Sequence, residues 1–199
     1  MSSGTRKKIE HQARKDLIIK GALNVFKSKG IEKATMDEIA LEADFGKATL
    51  YYYFKSKEDI FNTILNSGWT TLWNEVKNIP IDIDSPRKQF LKLIKSIIEL
   101  VNTNRPLYEF LFVAPHQSPG QDEEEPEWKN YQIQFINEIH SIIKLGIEKE
   151  EFPQIDSQLT LQAFGHMFHG MILIGKERQN INEKDIEELF LKLLKKKYS

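Results

Sequence analysis

The sequence contains no cysteine in 199 residues, which excludes disulfides, thiolate nucleophiles and cysteine-held zinc. It has no apolar run approaching the roughly 20 residues that a membrane-spanning helix needs. The first residues, Met1 to Lys8, turn basic but lead into no apolar signal-peptide core, so the expected location is the cytoplasm. Strand-like alternation is nearly absent: Ile81-Asp82-Ile83 shows it, trapped between Pro80 and Pro86, and is too short for a strand. No internal repeat is evident. What remains is 40% hydrophobic and 29% charged, a balance that suits a globular protein able to bury a real core.

The formal net charge of −1 hides a polarity along the chain. Residues 1–57 hold 12 Lys/Arg against 7 Asp/Glu, a net of +5, and residues 58–199 hold 16 against 22, a net of −6. A basic head followed by an acidic body suits contact between the head and a polyanion, although such asymmetry is often only solvated surface.

Apolar residues recur at helical spacing almost throughout. Ile18, Gly21, Ala22 and Val25 form one stripe, followed by Phe26 and by Gly30 as terminator. Phe90, Ile94, Ile97, Ile98 and Val101 form a second, with Ser85 as cap and Pro86 at the first helical position. Tyr131 to Gly146, Leu161 to Gly175, and Ile186 to Leu194 behind an Asn182 cap carry three more. Asn78 to Asp84 and Pro115 to Pro126 read as loops, the latter with an acidic run at 121–125. The fold class is all-α.

The densest signal lies between Thr35 and Lys57. Thr35-Met36-Asp37-Glu38 has the form of a capping box, so a helix is expected from Met36, with Ile39 and Ala40 facing inward. Asp44-Phe45-Gly46 interrupts the pattern, and a second short helix starts at Lys47. Ser56-Lys57-Glu58-Asp59 repeats the cap logic for a third. Two short helices about a tight turn, packed on a preceding helix, describe a helix-turn-helix.

The chemistry of the second short helix fits DNA. Leu50 and Phe54, four apart, are expected to anchor it to a core with Phe26, Ile39 and Phe45. The opposite side then presents Lys47, Ala48, Thr49, Tyr51 and Tyr52. Lys47 suits a guanine edge or a phosphate, and Ala48 and the Thr49 methyl suit thymine methyls. Tyrosine hydroxyls, Thr35 and Lys57 suit phosphates, which fix register without reading sequence. The bland alternative is an aromatic core plug. Successive helical residues differ by about 100°, however, so three adjacent tyrosines cannot all face inward. The basic arm, Arg6-Lys7-Lys8 with Arg14-Lys15, suits phosphates or the minor groove, and equally a solvated tail.

At these residues the sequence resembles the TetR family. Gly30, Thr35, Ile39, Ala40 and the run Lys47-Ala48-Thr49-Leu50-Tyr51-Tyr52-Tyr53-Phe54-Lys55-Ser56-Lys57-Glu58 are similar to its DNA-binding signature, over about residues 12–65. The resemblance implies an all-helical homodimer of about nine helices. Residues 1–56 would form the helix-turn-helix DNA-binding domain, and residues 57–199 a ligand-binding and dimerisation domain whose last two helices pair with their mates. It also implies a repressor released from a palindromic operator by a small molecule. Lys47, Thr49, Tyr51 and Tyr52 would face the groove or its backbone, and Thr35, Tyr53 and Lys57 would grip phosphates. Three positions depart from the pattern: Asp44 replaces the usual glycine of the turn, Gly46 replaces a polar cap, and Ala48 stands where glycine is frequent. Aspartate tolerates a left-handed backbone, and glycine is an acceptable cap.

The body carries little catalytic vocabulary. No nucleophile elbow Gly-x-Ser-x-Gly occurs, and no histidine follows a glutamate by three. No cofactor and no metal are expected, and the chain does not read as an enzyme. Its aromatic set instead suits an apolar small-molecule pocket: Trp69, Trp73, Tyr108, Phe112, Tyr131, Phe135, Phe164, Phe168 and Met171. Gly165 and Gly170 are costly inside a helix unless another helix approaches closely. With Ile186, Leu189, Phe190 and Leu193 they are expected at a dimer interface. Two rivals stand beside this reading. One is a helical binding protein whose head meets protein or non-specific nucleic acid; the other is a bundle enzyme with a metal at His166 and His169.

Overall fold

A computed structural model describes residues 3–79, 85–114, 125–174 and 183–193. Within them lie nine helices and no strand: α1 (Ser3–Lys33), α2 (Met36–Glu42), α3 (Lys47–Tyr53), α4 (Lys57–Lys77), α5 (Pro86–Thr103), α6 (Arg105–Val113), α7 (Glu127–Glu148), α8 (Ser157–Ile174) and α9 (Glu183–Leu193). The Ile81–Ile83 alternation, the acidic stretch at 121–124, Gly175, Asn182 and Leu194 fall outside the described residues. So do the side chains of Met171, Ile186 and Leu193.

The described chain divides into two compact units. The first holds residues 1–67 with 110–125, and the second 68–109 with 126–199. In the first, α1 buries Ile18, Ala22, Val25 and Phe26, the stripe expected from the sequence. Phe26 stacks on Phe110 at 5.7 Å, and Phe61 meets both rings edge-on. The helical geometry breaks at Gly30, whose φ of 78° lies where only glycine sits at no steric cost, and a last turn follows to Lys33. Gly21 serves a different need. A Cβ there would lie 2.9 Å from both the Cβ and the backbone nitrogen of Ala43, so the missing side chain is what lets the end of α2 rest on α1. The basic arm is not a loose tail from residue 3 onwards but the first turns of α1, with Arg14 paired to Glu10 one turn away at 2.9 Å.

In the second unit, Ser85 accepts a hydrogen bond from the backbone N–H of Lys88 and Pro86 opens α5. Phe90, Leu93, Ile94, Ile97, Ile98 and Val101 then form one buried face. α7 and α9 pack against α5, and α8 packs against α7. α7 ends with Glu150 in the left-handed region (φ 59°), while the N–H groups of Glu150 and Glu151 bond back to Ile147 and Gly146. Phe90 lies at the centre of a ring cluster with Phe152, Phe164 and Phe190, all within 5.8 Å. Phe90, Phe152 and Phe190 are fully buried and Phe164 half-buried; each fully buried ring stabilises the fold by about 1.5–3 kcal/mol.

Candidate nucleic-acid interface

The site begins at the cap of α2. Thr35 is extended (φ −121°, ψ 154°), its hydroxyl accepts from the backbone N–H of Glu38, and the Glu38 carboxylate accepts from the N–H of Thr35. The expected capping box is therefore closed in both directions. Lys29 of α1 donates to the same carboxylate at 2.7 Å. That bond first, and the Thr35 hydrogen bonds next, hold the Glu38 pKa below its ordinary value. A depressed carboxylate stabilises the fold above its unfolded pKa, and the contribution is lost as pH falls through the folded one. Thr35→Ala should cost about 1 kcal/mol. At acid pH, where Glu38 is protonated, its half of the box is weakened in variant and wild type alike. Both should lose stability while the gap between them persists, because the Thr35 hydroxyl accepts from a backbone N–H that does not titrate. Thermal melts at neutral and acid pH measure this, and a gap that closes at acid pH would contradict it.

Between α2 and α3 the chain turns on Asp44, whose φ of 58° is left-handed. The N–H of Phe45 reaches the carbonyl of Ala40 and that of Asp44 the carbonyl of Leu41, the paired bonds that end a helix on an αL residue. Aspartate thus does the work of the glycine usual at this position. Gly46 then enters α3 with an extended backbone and no side-chain cap, and its carbonyl accepts from Leu50.

α3 has a sharp inside and outside. Leu50 is 0% exposed, and Phe54, the residue closing the helix, is 2% exposed. Tyr51 is 47% and Tyr52 75% exposed. Lys47 and Ala48 are exposed, while Thr49 and Tyr53 are half-buried. Phe45, expected in the core, is also only half-buried, because the turn holds it at the rim. The Lys15 ammonium of α1 lies over the Phe54 ring at 5.1 Å, so this arm lysine packs inward on its stem. His11, which sequence reasoning passed over, packs against Tyr53 with ring centroids 4.7 Å apart and planes tilted by 44°, and lies 6.3 Å from Tyr52. Tyr52 and Tyr53 meet edge-on at 5.1 Å. No local pattern announces His11, since it lies about forty residues upstream in sequence.

Lys57 has a task the sequence did not signal. Its ammonium donates to the main-chain carbonyls of Glu32 (2.7 Å) and Ala34 (3.1 Å), tying the start of α4 to the α1–α2 junction. Two of three ammonium N–H groups are used this way. Around it, the Ser56 hydroxyl accepts from the N–H of Asp59, and the Asp59 carboxylate from that of Lys55. Thr35, Lys47, Ala48, Tyr51 and Tyr52 are therefore gathered as exposed groups on one short stretch, with Tyr53 and Lys57 partly engaged by α1.

The aromatic set of the body does not form one group. Phe112 belongs to the first unit, the rest to the second. Trp69 and Phe135 are buried edge-to-face at 5.7 Å, whereas Phe164 belongs to the Phe90 cluster. Tyr108 and Phe168 are buried, and Trp73 and Tyr131 half-buried. Burial first and Glu75 second push the Tyr108 phenol up to about 12, so it remains a neutral hydrogen-bonding group. The Tyr131 hydroxyl donates to Glu127 at 3.1 Å, which raises its pKa. Phe190, expected at a dimer interface, is 0% exposed against Phe90 and Phe164 of its own chain; an apolar stripe fits either kind of core, and here this ring fills the internal one. Leu189 and Gly165 face outward, and Gly170 is half-buried. His166 is exposed and bonds the Gln162 carbonyl at 2.8 Å, and His169 is half-buried. Among the described residues no three metal-ligating side chains converge, and no helix is long and apolar enough to cross a membrane.

A capped helix, a left-handed turn and an outward-facing second helix, all resting on α1, make this head a helix-turn-helix of the DNA-binding kind. The profile described as "Bacterial regulatory proteins, tetR family" matches residues 18–64. The chain is 37% identical over 87 residues to the HTH-type transcriptional regulator YuxN of Bacillus subtilis, a match covering 42% of this chain and 30% of YuxN. It is 26% identical over 173 residues to the HTH-type transcriptional regulator QacR of Staphylococcus aureus, covering 85% and 89%. The fold matches that of AibR, solved in complex with isovaleryl coenzyme A and operator DNA, with a TM-score of 0.74 at 17% identity over 91% of this chain and 97% of AibR. Over residues 18–64 the chain is thus similar to the tetR family of bacterial regulatory proteins.

Proposed function

We propose that this protein is a homodimeric, sequence-specific DNA-binding repressor, released from a palindromic operator by a small molecule bound in its body, and not an enzyme. The observation that carries the reading is the two-sidedness of α3: Leu50 and Phe54 are buried while Lys47, Ala48, Tyr51 and Tyr52 are exposed. Exposed tyrosine rings beside a lysine, on a chain segment with net charge +5, suit a groove lined with phosphates. In this reading residues 1–56 read DNA. Lys47, Ala48, Thr49, Tyr51 and Tyr52 meet the groove and its edges, and Thr35, Tyr53 and Lys57 hold phosphates. Residues 57–199 bind the effector and pair the two copies.

Dimerisation is supported by the outer face of α8, where Leu159, Gln162, Ala163 and His166 share one helical stripe and are all exposed. Leu189 of α9 is exposed as well. The buried Trp69–Phe135 pair with Tyr108 supports an apolar effector site. QacR, similar over most of the chain, is a transcriptional regulator, and AibR is known with both a coenzyme A thioester and operator DNA. Selection from a random pool of duplexes with the full-length protein tests the proposal. A near-palindrome should emerge with half-sites about 34–36 Å apart, or a multiple of that spacing. A pool that stays random after selection would refute it.

A further inference from the structure

Helix α2 carries three acidic residues, Asp37, Glu38 and Glu42, and the head employs them differently. Glu38 turns back to Lys29 and to the backbone of Thr35. Glu42 accepts from the Asn24 side chain of α1 at 2.9 Å. Asp37 alone of the three reaches forward to α3, where the Lys47 ammonium lies 2.7 Å from one of its oxygens and 2.9 Å from the other. The bridge spans the turn, and both side chains are about three-fifths exposed (61% and 62%).

We infer that Asp37 is a specificity-determining residue of the DNA-binding head: it holds the Lys47 ammonium away from non-operator phosphates and yields it where an operator base edge supplies acceptors in its place. The inference rests on the DNA-binding reading proposed above. Non-specific binding is nearly all attraction between cations and phosphates, and a carboxylate closed on the leading cation of α3 cancels that attraction and repels the phosphates beside it. An exposed ion pair is held weakly, so a guanine edge, with two acceptors at hydrogen-bond distance, can exchange for it. The carboxylate therefore weakens binding everywhere, and least where the correct acceptors stand.

The test compares Asp37→Asn with wild type on two duplexes, one selected from a random pool and one a scramble of equal length and composition. Asparagine keeps the size of the side chain and removes its charge. At 0.1 M salt the affinity for the scramble should rise several-fold, up to about eightfold for one more counterion released per engaged head. The salt slope should steepen by about 0.9 per head, and the preference for the selected duplex should shrink. Two controls separate this from a net-charge effect. Glu42→Gln removes the same charge without releasing a lysine and should leave the slope unchanged. In a Lys47→Met background, Asp37→Asn should no longer alter the slope. Equal slopes for Asp37→Asn and Glu42→Gln, unchanged affinity for the scramble, or an effect that persists without Lys47 would each overturn the role of Asp37. Wild-type protein that prefers no duplex at all would instead overturn the DNA-binding reading itself.

Discussion

Replacing Phe54 by alanine should destabilise the head by about 3–5 kcal/mol, the range for a buried aromatic ring whose cavity cannot fully collapse. The ring is 2% exposed and closes α3 where the backbone turns extended (φ −140°, ψ 132°). It also carries the Lys15 ammonium over its face. Its loss removes apolar contact, a cation–π partner and the closing residue of α3 together. For a domain near the lower end of the usual range of about 5–15 kcal/mol, that loss leaves a measurable fraction of the heads unfolded. Tyr52→Ala, two residues away and 75% exposed, should change stability by less than about 0.5 kcal/mol. Urea titration of both variants, with hydrogen exchange on α1–α3 to localise the effect, measures the difference. Equal midpoints would mean that α3 is not oriented as described.

The same two-sidedness predicts the reverse pattern for DNA. Lys47→Ala and Tyr52→Ala should each weaken binding to the selected duplex by about 5- to 150-fold, corresponding to 1–3 kcal/mol for a direct groove contact. Together they should leave no discrimination over a scramble. Sedimentation should show the same oligomeric state for all forms, because both residues lie in the head and the proposed pairing faces are on α8 and α9. A loss of affinity accompanied by dissociation of the dimer would point to misfolding. Full affinity in both single variants would remove α3 as the reading helix. The edge-on contact between Tyr52 and Tyr53 and the tilted packing of His11 on Tyr53 fix the tyrosine rings before DNA arrives, so the loss should fall mainly on dissociation rate.

Much of this head is legible in the sequence because its determinants are local. The Thr35 capping box, the Leu50–Phe54 spacing, the Ser56 cap and the Ser85-Pro86 start of α5 are each written within four residues, and each is present as read. What the sequence does not disclose depends on residues far apart. The bonds from Lys57 to the carbonyls of Glu32 and Ala34 span 25 and 23 positions, and nothing in the Ser56-Lys57-Glu58 run separates a lysine aimed at the main chain from one aimed at phosphate. Asp37 reads locally as a first-turn acid favoured by the helix dipole, and its partner appears only once the turn at Asp44 brings α3 round. In the body the limit is different. An apolar stripe at helical spacing records that a face is covered, not what covers it. Phe190 and Leu189 are adjacent on that stripe, yet one is buried within the chain and the other faces outward.

The central claim is that the basic head meets the phosphates of a duplex through the exposed side of α3. The most direct measurement is the affinity of full-length protein for its selected duplex as salt is raised from 50 to 200 mM. With two heads making six to ten phosphate contacts between them, affinity should fall by about 10³- to 10⁵-fold along a straight log–log line. A dependence that stays flat over that range would contradict it.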